Sequence, residues 1–185
     1  GQIDILCGGS QKALSAPPGL TFVTVSEKAM KTMEKRKTPI ASFYANILVF
    51  KDYYKNQWFP YTMPISDIYG LRTALENVKA EQNSMWDRHA KMGEMTRTAV
   101  QEMGLELYLE NGYSNTVTVI KVPEGMKASD ILETMKKDYH IMIAGSFDVL
   151  TGQVIRIGHM GENANEDDVK ETLEALKYTL EKLRS

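Results

Sequence analysis

The chain has 185 residues, 43% of them hydrophobic and 25% charged, with 22 Lys and Arg against 24 Asp and Glu for a net charge of −2. That balance suits a soluble globular protein with room for one compact domain plus part of another. It leaves out a basic surplus for nucleic acid, an apolar run of the roughly 18 residues that cross a bilayer, and a secretory signal; a single cysteine excludes an internal disulfide framework and points to a reducing, cytoplasmic setting.

The elements follow in chain order. Ile3–Leu6 reads as a strand at the very start, with no initiating Met before it. Chains rarely open inside a sheet, so the expectation is that a front portion has been cut away or is encoded separately. Cys7, flanked by apolar residues, is expected in the core. Gly8-Gly9-Ser10 stops the strand, and the loop from Lys12 ends at Pro17-Pro18-Gly19. Leu20–Val25 alternates as a second strand, and Ser26 caps a short basic helix to about Lys35. Residues 38–64 are aromatic and turn-rich. Ile68, Leu71, Leu75 and Val78 set the stripe of a long helix, and Trp86, Ala90, Gly93, Val100 and Met103 that of a second, stopped at Gly104. Strands are then expected at 105–109, 116–122, 141–143 and 154–158, with a helix at 129–139 and a last one capped by Asn165 and striped by Val169, Leu173, Leu176, Leu180 and Leu183. The fold class is α/β, with the end of one domain over 1–82 and a small α+β domain with a mainly antiparallel sheet over 83–185.

The chemistry concentrates in residues 9–20, GSQKALSAPPGL. A lysine that attacks a carbonyl must give up its proton, and a small-residue loop after a strand end lets backbone approach a planar cofactor and its phosphate. Ser10 and Gln11 are neutral hydrogen-bonding groups that can bind phosphate without competing for the Lys12 amine. A lysine in a Gly/Ser loop alone is an ordinary surface lysine. The histidines and Cys7 have no metal-ligand spacing, so no metal is expected.

The longer string decides. Ser-Gln-Lys, a small residue, then Ala-Pro-Pro-Gly resembles the cofactor-lysine block of the class V, fold-type I aminotransferases, the alanine–glyoxylate and serine–pyruvate group. Ser42-Phe43-Tyr44, Thr62-Met63-Pro64, Trp86 with His89, and Gln153-Val154-Ile155-Arg156-Ile157-Gly158 continue the likeness in order along all 185 residues. It corresponds to the back half of a family member. The resemblance implies that Lys12 holds pyridoxal 5'-phosphate through an imine bond, with Gln11 beside it. It implies that Thr62 reaches the cofactor phosphate of the other subunit of a homodimer, and that Arg156 grips the substrate carboxylate. On this reading 1–82 is the C-terminal portion of the large cofactor-binding domain. Implied substrates are a small amino acid (alanine or serine) and a 2-oxo acid (pyruvate or glyoxylate). Phe59 stands where the family has a phosphate-binding tyrosine, and Tyr61 lies two residues on: a departure that leaves the contact absent or shifted.

Arg156 also speaks without the resemblance. A guanidinium in an apolar, β-branched strand needs an anion: either an internal carboxylate, or a substrate carboxylate held by two parallel hydrogen bonds. Asp4 is tempting as partner of the cofactor's pyridine nitrogen, but it lies only eight residues before Lys12 on the same strand, and the family's aspartate falls further upstream. That partner and a ring-stacking aromatic are therefore expected outside the chain, in the same or a separate polypeptide, leaving these residues inactive alone. A cysteine desulfurase-like lyase is the alternative within the cofactor class; Gln11 before Lys12 and no cysteine after it speak against it. A non-catalytic fragment or subunit is the alternative outside it.

Overall fold

The computed structural model describes residues 3–184. They fall into two compact units, Gly1–Glu76 and Asn77–Ser185.

In the first unit, β1 (Ile5–Gly9) pairs antiparallel with β2 (Thr21–Val25), Ile5 facing Val25 and Gly9 facing Thr21. The strand thus runs through both glycines instead of stopping before them. Cys7 is exposed, as is every residue of β1, which corrects its expected place in a core. Helix α1 (Glu27–Glu34) starts where Ser26 caps it, the Ser26 hydroxyl oxygen accepting from the Ala29 amide at 3.1 Å. Asp4 braces this turn: its carboxylate accepts from Ser26 Oγ at 2.7 Å and Lys28 Nζ at 2.9 Å, and the Lys28 hydrogen bond holds its pKa below the usual range. Residues 35–64 form one 3₁₀ turn, Ile47–Phe50, and otherwise irregular chain. Its centre is Tyr61, which stacks on Tyr44 (4.8 Å) and meets Phe43, Phe50 and Phe59 edge-on. Helix α2 (Ile65–Glu81) buries only Ala74; Ile68 and Leu75 of its expected stripe are exposed.

The second unit holds the core. Helix α3 (Ser84–Glu102) buries Met85, His89, Met92, Thr96 and Val100, while Trp86 is exposed. The buried stripe therefore starts one residue earlier than Trp86. Gly104, at φ +76°, ends the helix in a conformation that favours glycine. Strands β3 (Val117–Lys121) and β4 (Val154–Gly158) pair antiparallel, with Ile120 opposite Ile155 and Val119 opposite Arg156. Period-two alternation turns Ile120 and Ile155 into the core. The Val119–Arg156 pair faces the other way. The expected strands at 105–109 and 141–143 are not formed. The sheet is flanked instead by single bridges, Leu107 with Ile120 and, just past 141–143, Ala144 with Arg156. Helices α4 (Ala128–Tyr139) and α5 (Glu166–Arg184) close the core; Asn165 caps α5 through the Asp168 amide at 2.9 Å. Val100, Ile120, Ile131, Met135, Ile155 and Leu176 are its fully buried centre.

Candidate active site

The loop from Ser10 to Leu20 closes the β1–β2 hairpin, and Ser10 shuts it. Its amide donates to the Leu20 carbonyl (3.1 Å) and its carbonyl accepts from the Ala16 amide (3.1 Å). Its hydroxyl donates to the Pro17 carbonyl (2.6 Å) and accepts from the Leu20 amide (3.4 Å). Ser10 is fully buried. Its hydroxyl, expected to serve a phosphate, is thus spent on the loop itself. Inside this closure Lys12 sits on a turn, its carbonyl accepting from the Ser15 amide at 2.9 Å. The Lys12 side chain is exposed and makes no ion pair or hydrogen bond among the described residues. Gln11 folds back over Gly9, with Oε1 2.9 Å from where a Cβ on Gly9 would stand. The loop's far end rests on α2: a Cβ on Gly70 would come within 2.9 Å of the Pro17 ring, so that rigid contact requires glycine.

Thr62 lies in the same unit, exposed and without a side-chain hydrogen bond among the described residues. Tyr61 next to it is committed. Its hydroxyl donates to the carbonyls of Phe43 (3.2 Å) and Tyr44 (3.1 Å). Asp4, braced by Ser26 and Lys28, is likewise committed.

Arg156 is half-buried on β4. No carboxylate pairs with it among the described residues, so the internal salt bridge left open by the sequence is not formed. Its Nε donates to the Gly145 carbonyl at 2.6 Å, and its guanidinium carbon lies 5.9 Å from the centre of the Phe147 ring. The sequence offers Gly145-Ser146-Phe147 as a border of the active site but not as partners of Arg156, because the stretch has no regular period.

His89 is structural. Its Nδ1 donates to the Met85 carbonyl at 2.7 Å and its Nε2 accepts from the Gly161 amide at 2.9 Å, which fixes the neutral tautomer. Arg88, one residue away, grips Glu81 through both carboxylate oxygens and donates to the Gly161 and Ala164 carbonyls, each at 2.7 Å. Among the described residues no group of three or more His, Cys, Asp or Glu could hold a metal, and no helix is long and apolar enough to cross a membrane.

The comparisons with known proteins point one way. The aminotransferase class-V family matches residues 1–171. An uncharacterised aminotransferase of Methanocaldococcus jannaschii is 39% identical over 185 residues, covering 98% of this chain and 47% of its own. The serine–glyoxylate aminotransferase of Arabidopsis thaliana is 37% identical over 167 residues, covering 89% of this chain and 41% of its own. The crystal structure of an alanine–glyoxylate aminotransferase from Nostoc superposes with a TM-score of 0.91 at 29% identity, over 96% of this chain and 48% of that one. The chain spans about half the length of the curated relatives it matches. With the fold of that half and the family's match over nearly all its length, the chain belongs to the class-V aminotransferases.

Proposed function

We propose that this chain carries the lysine side of a pyridoxal-phosphate-dependent aminotransferase. It would exchange an amino group between alanine or serine and pyruvate or glyoxylate. The observation that supports this best is the Lys12 amine, uncommitted on a loop that Ser10 holds shut. The residues fit the cofactor: an available primary amine, the neutral Gln11 amide beside it, and a glycine at position 9 that leaves room for that amide. When bound, the cofactor supplies an electron sink that weakens the bonds at the substrate Cα. Lys12 would hold the cofactor through its amine and, once released, would move a proton between the substrate Cα and the cofactor's C4'. Arg156 holds the substrate carboxylate, so that Cα is presented in one orientation. Gln11 stays beside the cofactor without adding charge. Thr62 serves the phosphate across a homodimer. Residues up to about 82 belong on this reading to the cofactor domain, the rest to a small domain, and the enzyme works in the cytoplasm.

The groups that face the cofactor ring belong to sequence outside these residues, in the same or a separate polypeptide, and the chain alone is inactive. A purified chain of only these residues that transaminated at the rate of a complete enzyme would overturn that part. Borohydride treatment of the complete enzyme followed by peptide mapping is expected to fix the cofactor on Lys12; a label on another lysine would end the central reading. Arg156→Lys replaces a fork by a point charge and is expected to raise KM for donor and acceptor about tenfold or more.

A further inference from the structure

Arg156 is held by one neighbouring segment, at several points. Its amide donates to the Ala144 carbonyl at 2.6 Å, its carbonyl accepts from the Ala144 amide at 3.0 Å, and its Nε donates to the Gly145 carbonyl at 2.6 Å. Phe147 arrives two residues later, its ring beside the guanidinium at 5.9 Å, within the distance at which a ring face attracts a cation. That ring is 75% exposed, so packing in the core does not account for it.

A guanidinium has two edges that can grip a carboxylate. One is Nε with a terminal nitrogen; the other is the two terminal nitrogens. The single Nε proton of Arg156 already belongs to the Gly145 carbonyl, which closes the first edge. We infer that Gly145 and Phe147 together aim Arg156: the carbonyl leaves only the end-on edge for an incoming carboxylate, and the ring backs the guanidinium and thins the water around it. Phe147 is thus a positioning residue that sets affinity for the α-carboxylate of both substrates. The inference deepens the transaminase reading and rests on it. The chemistry it selects is a planar carboxylate with two coplanar oxygens, approaching the terminal nitrogens in the guanidinium plane. Because the amino donor and the 2-oxo acceptor share that group, both feel Phe147 equally, and so does a carboxylate with no reactive function at all.

The test uses the complete, cofactor-loaded enzyme. KM for donor and acceptor, kcat, and the inhibition constant of propionate are measured for Phe147→Leu, Phe147→Tyr and Arg156→Lys. Phe147→Leu keeps apolar bulk but removes the ring. It is expected to raise both KM values and the propionate constant together, about 3- to 10-fold, with kcat unchanged. Phe147→Tyr keeps the ring face and is expected to stay within about twofold of the parent. Suppose Phe147→Leu leaves the three constants unchanged, or lowers kcat alone, while Arg156→Lys still raises KM. The role of Phe147 then falls and the transaminase reading stands. If Phe147→Tyr does as much damage as Phe147→Leu, the ring is only a spacer and the inference also falls. If Arg156→Lys changes no KM, it is the carboxylate role of Arg156 that is lost.

Discussion

Ser10 spends its amide, carbonyl and hydroxyl on one loop, and it does so without any contact with water. Removing the hydroxyl leaves the Pro17 carbonyl without that donor. Ser10→Ala is expected to cost about 1–3 kcal/mol in urea denaturation of the complete protein, and to loosen the turn that presents Lys12. His159 is the other residue whose surroundings decide its behaviour. It is fully buried, its Nε2 lies 2.8 Å from Thr118 Oγ1, and its Nδ1 has no hydrogen-bond partner among the described residues. Burial pushes its pKa below 6.5, and the charge of Arg97 adds to that. The unfolded chain therefore binds a proton that the folded one resists, so stability is full above pH 6.5 and falls as the pH drops below it. Glu166 cannot cause that loss. Its hydrogen bonds to Lys170 and Lys91 lower its pKa to about 2, so the stability it adds is present above about 4.5 and goes only as the pH falls towards 2. Melting of residues 77–185 is expected at lower temperature at pH 5.5 than at pH 7.5. His159→Gln should flatten that slope; an unchanged slope would clear His159.

At the scale of elements, what was legible in the sequence tracks how local the signal is. The limits of α1 and α5 were legible because Ser26 and Asn165 cap them through their own side chains. Asn165→Ala is expected to cost about 1 kcal/mol, read as a lower melting temperature. The face of α3 was not legible: Trp86 is the largest apolar side chain of its first turn, yet Met85 lines up with His89, Met92 and Thr96, and Trp86 is left outside. Strands at 105–109 and 141–143 were over-read for a related reason. Leu105, Leu107, Ile141 and Ile143 do turn inward, but the sheet is met by single residue pairs only, at Leu107 and at Ala144 just past 143. In the candidate site, Lys12 was legible from a long specific string, and Arg156 from the oddness of a guanidinium among β-branched neighbours. The contacts of Gly145 and Phe147 with Arg156 were not, because they exist only once the backbone pairs Ala144 with Arg156.

Across the whole molecule the two units differ in kind. Every residue of the hydrophobic core cluster, from Met92 to Leu180, belongs to Asn77–Ser185. Among the described residues before 77, Ala16 and Ala74 are the only buried apolar ones, while Leu6, Val23, Tyr44, Tyr54 and Trp58 are exposed. A two-stranded hairpin without a covered face is marginal by itself. Residues 77–185 produced alone are expected to give a dispersed amide spectrum and one cooperative melt, and residues 1–76 alone neither. Within the larger unit, Leu176→Ala is expected to cost about 2–5 kcal/mol, since a fully buried leucine leaves a cavity that its neighbours cannot fill.

The lone bridges beside β3 and β4 bear on how this domain behaves in a crowded solution. A regular strand at the rim of a sheet offers its neighbours a row of open amides and carbonyls, and such rows seed fibres. Here the Tyr108 amide donates to the Val119 carbonyl and the Lys121 amide to the Glu106 carbonyl across one side of the ribbon, and Ala144 and Arg156 exchange hydrogen bonds across the other. The flanking segments then bend away into irregular chain. A second molecule approaching either side would find hydrogen bonds already made and no straight template, which leaves the paired strands a poor nucleus for polymerisation.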